Sequence, residues 1–459
     1  MEIQLYNTLN KKVELFNPQD DKNVRMYVCG PTVYDEPHVG NIRPIIVFDI
    51  LYRILCHKYG AKSVFYARNI TDVDDKIINS ANEKNISIAQ LTSDILDQFH
   101  KQVKIVNSLE PTYEPRATEH IDEMIGMVEL LLKNNYAYAV KNHVFFEVRK
   151  FSNYGKLSKL KKESLIAGAR VEINELKKDP LDFILWKPAK KDEPSWHSPW
   201  GEGRPGWHLE CSVMSRKFLG KTFDIHGGGA DLIFPHHENE IAQSLCAYNE
   251  SMLAKYWVHN GFVTVEGNKM SKSLKNFITA GELISEFPGE AIRLKMLMTH
   301  YRQPLDWTNL GLREAKGILD RWYEIKKEFP VSETKEISES FLKHLYEDMN
   351  TPKMLTFLHE LAAKAMKGDK ESAHHLLNCA NFIGLLSYNS QEWTRWKPNK
   401  VTIDEKEIEN LIADRAKFRE QGDFSAADDL RKKLENSGEK IGSLHCAGLC
   451  AVGPAIVKE

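Results

Sequence analysis

Long apolar runs are missing from this chain, and their absence sets the first boundary on what it can be. No stretch reaches the roughly 18 residues needed to cross a bilayer, so no membrane helix is expected. The start, Met1-Glu2-Ile3-Gln4-Leu5, has no basic segment followed by an apolar core, and no secretory leader is expected. Cysteine is sparse, with seven residues scattered over positions 29, 56, 211, 246, 379, 446 and 450. An odd, dispersed set argues against a disulfide framework. It argues for thiols kept reduced, as metal ligands or reactive groups, in a cytoplasmic setting. A dominant charge is missing too: 62 Lys and Arg against 64 Asp and Glu leave a net −2. A nucleic-acid partner would therefore be met by local patches and not by a global field. Internal repeats and low-complexity tracts are absent. What is present is 459 residues of ordinary globular composition, 42% hydrophobic and 27% charged, too many for one core.

Val24–Cys29 reads as a short buried strand, apolar and rich in β-formers. A loop over Gly30–Asn41 follows, then an apolar helix from about Ile42 to Tyr59, stopped at Gly60, then a strand at Ser63–Ala67. Strand, helix, strand predicts a Rossmann-like parallel α/β unit, with ligands at the carboxyl ends of the strands, where Cys29 and His38 fall. From about Pro111 the pattern changes to a helix (about Glu119–Lys133), a hairpin (Tyr136–Val148) and a lysine-rich polar stretch to about Pro205. The α/β pattern resumes with a helix at Trp207–Phe218, a strand at Thr222–His226 and a turn at glycines 227 to 229. After about Tyr301 come four or five amphipathic helices to about Leu386, and a linker at Ser387–Pro398 that contains Trp393 and Trp396. Two charged helices, about Asp404–Glu420 and Ser425–Asn436, end the pattern. The expected domains are a catalytic domain in two halves, 1–110 and 206–300, with a connective insertion, 111–205, between them. An α-helical bundle at 301–398 and a small C-terminal region at 399–459 follow.

Three constellations carry chemistry. The segment Phe234-Pro235-His236-His237-Glu238-Asn239-Glu240, read with Cys29 and Cys211, offers imidazole, carboxylate and thiolate donors, a mixture that zinc prefers. If the segment is helical, His236 and Glu240 share one face, whereas His237 has Ile241 at i+4 and Glu238 faces elsewhere. A solvated helix face and small buried thiols are the bland alternative, and spacing leaves the choice open. Pro37-His38-Val39-Gly40-Asn41 enters a helix. Its glycine lets a phosphate approach the backbone, and a helix N-terminus favours an anion; a plain capping turn is the alternative. Gly267-Asn268-Lys269-Met270-Ser271-Lys272-Ser273 sets two lysines and two serines on a glycine-hinged loop. That suits a clamp on a polyphosphate, with Lys272 neutralising charge on a transferring phosphorus. A solvated lysine loop is the alternative.

Together, the His-x-Gly-x turn after the first strand and the Lys-Met-Ser-Lys-Ser loop resemble the class I aminoacyl-tRNA synthetases. Cys29-Gly30-Pro31-Thr32-Val33-Tyr34, Asp182–Lys187, Gly203–Ser212 and Asp224–Pro235 narrow the resemblance to the cysteinyl-tRNA synthetase family, in order from about residue 3 to about 437. The resemblance implies one zinc ion (Zn2+) per chain, held by Cys29, Cys211, His236 and Glu240 and binding the substrate thiolate directly. Cysteine and serine differ by one atom, which shape separates by only about 10–200-fold; ligation of soft sulfur separates them further. It implies activation of L-cysteine by ATP, accompanied by Mg2+, and transfer to the 3′ end of tRNA(Cys). His38, Gly40 and Asn41 are then expected at the phosphates, Lys272 with Lys269 at the transferring group, and Thr71, Trp207, His226 and Asp231 at substrate or adenylate. Asp423–Arg431 matches an aromatic-x3-Asp-x2-Arg pattern, which implies that Phe424, Asp428 and Arg431 read the anticodon, Phe424 by stacking. A monomer is expected.

Two positions depart from the pattern. Asn41 stands where the general class I motif has histidine, and the tail from Gly442, with His445, Cys446 and Cys450, lacks an acidic Gly-Thr-Trp ending. A cysteine ligase acting on an amino sugar would lack the terminal helices. A zinc hydrolase would leave the lysine loop unexplained, and a non-catalytic tRNA binder would have no use for the intact metal and lysine residues.

Overall fold

Four short apolar runs build the central sheet: β1 (Val24–Val28), β2 (Val64–Arg68), β3 (Phe223–Gly229) and β4 (Ala254–Asn260). All pair parallel, in the order β4-β3-β1-β2, with Met26 opposite Tyr66 on one side and Ile225 on the other. A parallel sheet covered on both faces needs runs apolar throughout, and Val24, Met26, Tyr27 and Val28 are all buried. The computed structural model describes residues 1–159, 175–270, 276–329, 336–398 and 405–436. Ser271, Lys272, Ser273 and the tail from Gly442 lie outside the described residues. The chain divides into two compact units, Met1–Thr394 and Arg395–Glu459.

Helix α1 (Val39–Tyr59) starts three residues before the position expected from apolar periodicity. The cause is its cap. His38 Nδ1 accepts from the Gly40 N–H at 3.1 Å, and Asn41 Oδ1 accepts from the His38 N–H at 3.0 Å, so two otherwise orphaned donors are satisfied reciprocally. The glycines expected to turn at 227 to 229 instead continue β3, opposite Val258, His259 and Asn260 of β4. Phe48 of α1 packs where a side chain at 227 would stand: a Cβ there would lie 2.3 Å from its ring. Glycine here serves close packing and not a bend.

Helices α2 (Trp207–Leu219) and α3 (Glu238–Tyr248) bring the second half of the chain to the same sheet edge. Between the two halves runs an antiparallel sheet of Ala137–Val140, His143–Phe146, Phe183–Pro188 and Gly203–Pro205. Its last strand ends at Gly206, the N-cap of α2, and its flanking loop is tied to α3. There, buried Glu238 accepts from the N–H groups of Leu157 and Ser158 at 3.2 and 2.9 Å. A third sheet, Val263–Val265 with Asn268–Lys269 antiparallel and Leu305–Trp307 parallel, carries the entry to the lysine loop.

The helices Asn309–Glu328, Glu339–Tyr346, Thr351–Ala365 and Lys370–Phe382 follow, as their amphipathic pattern predicts. The stretch expected to be a linker is different. Ser390–Arg395 forms a short helix whose buried Trp393 donates to Asp320 Oδ1 at 2.8 Å and stacks on Tyr323 at 4.3 Å. One tryptophan docks what composition alone reads as a spacer. In the second unit, Glu405–Glu420 and Phe424–Asn436 form a helical hairpin turned at Gly422, whose φ of 77° favours glycine.

Candidate active site

Open α/β sheets bind ligands where strand order reverses, at the carboxyl ends of the strands. Here that point lies between β1 and β3, and Cys29 is the first residue beyond β1. Its N–H donates to the Gly227 carbonyl at 3.2 Å, which fixes the loop against β3. From this position Cys29 Sγ lies 3.6 Å from Cys211 Sγ of α2 and 3.5 Å from Glu240 Oε1 of α3. His236 completes the group. One donor atom from each of Cys29, Cys211, His236 and Glu240 lies within 4.8 Å of every other.

A metal fits this set on two grounds. His236 Nδ1 is paired with His208 Nδ1 at 2.9 Å, but its buried Nε2 has no hydrogen-bond partner. That atom lies 3.1 Å from Glu240 Oε1 without hydrogen-bond alignment, which is how two ligands of one ion would stand. The second ground is charge. Burial, and then Cys211, push the Cys29 thiol well above its ordinary value, and burial raises Cys211 as well. Burial drives His236 and His237 well below the usual imidazole value, and His208 down to about 3. Neutral imidazoles keep a lone pair for a ligand bond, and a divalent cation would supply the charge that two buried sulfurs need to ionise.

Periodicity demoted His237 to a neighbour of the His236–Glu240 pair, yet the fold sets its ring against the same sulfur. The turn Ile233–His237 is irregular, with extended backbone at Phe234 (φ −139°, ψ 131°), and α3 begins only at Glu238. From there the spacing holds, and His236 meets Glu240 four residues on. His237 Nε2 lies 3.3 Å from Cys29 Sγ, while its Nδ1 meets His259 Nε2 at 2.8 Å, and His259 Nδ1 meets Thr8 Oγ1 at 2.8 Å. A second overlapping donor set, Cys29, His226, His237 and Glu240, is just as close-knit. His226 Nε2 lies 2.8 Å from Glu240 Oε2, and its ring stacks on Trp257 at 4.5 Å. It is fully buried behind Glu240. Residues that support ligands in this manner orient them and tune their basicity. Sequence reasoning missed His208 and His259 and gave His237 no role, because nothing in their local spacing announces these contacts.

The other expected contacts fall at varied depths. Trp207 is 36% exposed and stacks on His236 at 4.1 Å, at the mouth of a cleft also lined by Asp74, Tyr154, Arg204 and Asn239. Asp231 is exposed in the turn after β3. Thr71 is buried, and its hydroxyl donates to Glu210 Oε2 at 2.7 Å. At the turn expected to meet phosphate, the α1 cap uses His38 Nδ1 and Asn41 Oδ1, which leaves the Asn41 amide NH2 unused by the cap. The capping turn and a phosphate role are thus compatible. A Cβ on Gly40 would meet the His38 ring at 2.9 Å and Met270 Cε at 3.5 Å, so the lysine loop enters beside this turn. Lys269 is exposed at the end of its hairpin strand. In the second unit, Phe424 is 63% exposed, Asp428 is exposed one turn on, and Arg431 lies on the same helix.

Residues 15–317 match a family model described as the class I (C) tRNA synthetase catalytic domain. The chain is 49% identical over 440 residues to the cysteine–tRNA ligase of Pelagibacter ubique, covering 96% of this chain and 97% of that relative. It is 50% identical over 450 residues to the cysteine–tRNA ligase of Rickettsia bellii, again covering 96% and 97%. Among solved structures, the Mycobacterium tuberculosis methionyl-tRNA synthetase in complex with methionyl-adenylate superposes with a TM-score of 0.56. That match is at 12% identity over 81% of this chain and 93% of that one. The ternary complex of Agrobacterium radiobacter K84 agnB2 LeuRS, tRNA and LeuAMS gives 0.54 at 10% identity, covering 80% and 83%. At such identity the likeness is one of fold. The chain belongs to the cysteine–tRNA ligase family of class I aminoacyl-tRNA synthetases.

Proposed function

We propose that this synthetase activates L-cysteine with ATP to cysteinyl-adenylate and transfers it to tRNA(Cys), selecting cysteine through its sulfur at a zinc site. The observation that carries the reading is the buried convergence of Cys29, Cys211, His236 and Glu240, with Nε2 of His236 unpartnered. Bound zinc supplies a soft Lewis acid that takes a thiolate in preference to a protonated hydroxyl. The chain's own residues do the rest. Cys29 and Cys211 present sulfurs from two different strand–helix units, His236 presents Nε2, and Glu240 presents Oε1. The paired imidazoles of His208 and His259 hold this geometry from behind. Trp207 and Asp231 bound the amino-acid side of the cleft, with Thr71 and His226 bracing it from beneath.

In the first step the cysteine carboxylate attacks the α-phosphorus of ATP, and pyrophosphate leaves. His38, Gly40 and Asn41 hold phosphate oxygens, Mg2+ accompanies the nucleotide, and Lys272, supported by Lys269, neutralises charge on the transferring group. Catalysis of this step is positioning plus electrostatics. In the second step the 2′ hydroxyl of the terminal adenosine attacks the adenylate carbonyl, and AMP leaves. Phe424, Asp428 and Arg431 read the anticodon, and the chain works as a cytoplasmic monomer. No helix among the described residues is long and apolar enough to cross a membrane. The proposed division is a split catalytic domain, 1–110 and 206–300, around a connective insertion, 111–205, with a bundle at 301–398 and an anticodon module from 399.

The test joins metal content to cysteine-dependent ATP–pyrophosphate exchange. Wild-type protein is expected to hold one zinc per chain and to exchange only with cysteine. Cys211→Ser is expected to lose both together. Exchange that survives full metal removal, or that runs equally well with serine, would sink the reading.

A further inference from the structure

Arg43 takes no part in the chemistry above, yet it stands where the two phosphate-handling segments meet. Its side chain is fully buried in the first turns of α1, two residues beyond Asn41. Its described partners are all backbone carbonyls. Nη1 donates to Gly261 and Phe262 at 2.9 and 2.6 Å, and Nη2 to His300, Tyr301 and Gln303 at 3.3, 3.2 and 2.5 Å. Burial lowers its pKa to about 10, which leaves it charged at neutral pH. Apolar packing at this point would leave those carbonyls without their donor.

The carbonyls come from two loops with one destination. Gly261 and Phe262 run straight into Val263–Val265, whose hairpin partner Asn268–Lys269 opens the lysine loop. Residues 300–303 run into Leu305–Trp307, which pairs parallel with Val263–Val265. The loops pack so closely that a Cβ on Gly261 would stand 2.5 Å from the Gln303 carbonyl oxygen. Beyond the lysine loop the chain returns to the same turn of α1. The Val39 N–H donates to Ile278 at 3.1 Å and the Ala280 N–H to Pro37 at 2.7 Å, while Glu36 accepts from the Gly281 N–H at 2.9 Å. The lysine loop is thus tied to the His38 turn at both ends. Among the described hydrogen bonds, those of the Arg43 guanidinium make the entry tie, while backbone pairing makes the exit tie.

We propose that Arg43 is a positioning residue for adenylate formation, locking the sheet that leads into the lysine loop against the turn of His38 and Asn41. The proposal rests on the phosphate roles proposed above. A lysine at 43 would keep the charge but could not span both loops with a planar fork of donors.

The test is a double-mutant cycle on cysteine-dependent ATP–pyrophosphate exchange, with rates normalised to active sites titrated by the single-turnover burst of adenylate. Arg43→Lys is expected to lower kcat by about 100-fold, the scale of a 1 Å misplacement, with the KM for cysteine and the zinc content unchanged. In a Lys272→Ala background the same change is expected to add less than about two-fold, because both act through one contact. An equal factor in both backgrounds would overturn the proposal, as would a kcat for Arg43→Lys within about two-fold of wild type. Should Arg43→Lys not accumulate as folded protein, Gly261→Ala enters the same cycle. It keeps the guanidinium and displaces the Gln303 carbonyl, and the same two results would overturn the proposal. Absence of cysteine-dependent exchange in wild type would remove the underlying reading itself.

Discussion

At the sulfur end of the site, His236, His237 and Glu240 are each buried, and each is held by a further histidine, half-buried His208 or buried His259 and His226. At the phosphate end, Lys269 is exposed on a hairpin strand of two residues, and the segment beyond it is tied back at its two roots. Under the proposed function the contrast follows from two tasks. Telling cysteine from serine is a matter of one atom, so the selecting group must not yield, and a buried network in a low-dielectric interior supplies that rigidity. Phosphoryl transfer needs charge at the developing transition state, which a solvent-exposed lysine beside the His38 turn can offer without burial.

The comparison can be broken at either end. Lys272→Ala carries the largest expected effect of the crossed tests: kcat for pyrophosphate exchange should fall by about 100–1000-fold, with zinc content and cysteine KM unmoved. If zinc content fell as well, the two ends would not be separable. His237→Ala should do the reverse, weakening zinc affinity by about 10–100-fold in a chelator competition, as loss of a ligand's support does, while leaving the ATP KM alone. An unchanged zinc affinity would show that the His237–His259–Thr8 chain is packing only.

The smallest effect concerns pH. Burial holds His259 at about 3, against an ordinary 6.5, and His208 is held at about 3 in the same way. The folded state keeps both neutral while the unfolded chain binds protons below 6.5. Their contribution to stability is therefore fully present above 6.5 and lost as pH falls from there toward 3. Each such imidazole should add about 1.4 kcal/mol per pH unit to the slope of unfolding free energy in that window. His259→Gln should remove one share of the slope, and an identical slope in the variant would count against a buried neutral ring.

How much of this was legible in the sequence depended on how local the cause was. The strands at Val24 and Val64 and the helices α1, α2 and the terminal pair follow apolar periodicity and end at glycines or polar turns, so they stand close to where the pattern put them. Glycines 227 to 229 and the stretch around Trp393 did not, because each answers to a distant partner, Phe48 in one case and Asp320 with Tyr323 in the other. The residues of the metal set were legible as donor types, and the resemblance joined them. The second rank of histidines was not legible, since His208 and His259 join the site only through contacts with His236 and His237 from other elements.

The sequence by itself determined the donor chemistry, the His-x-Gly-x turn, the lysine loop and the family, because these are written as residue types at short fixed spacing. Only the tertiary structure decided that Cys29 and Cys211, 182 positions apart, lie 3.6 Å from each other. It also decided that His236 has one nitrogen paired and one turned to the shared centre, and that Arg43 binds two loops more than 200 positions away. Such facts depend on which strands become neighbours in the sheet and on what is shut away from water, and a linear string of residues records neither.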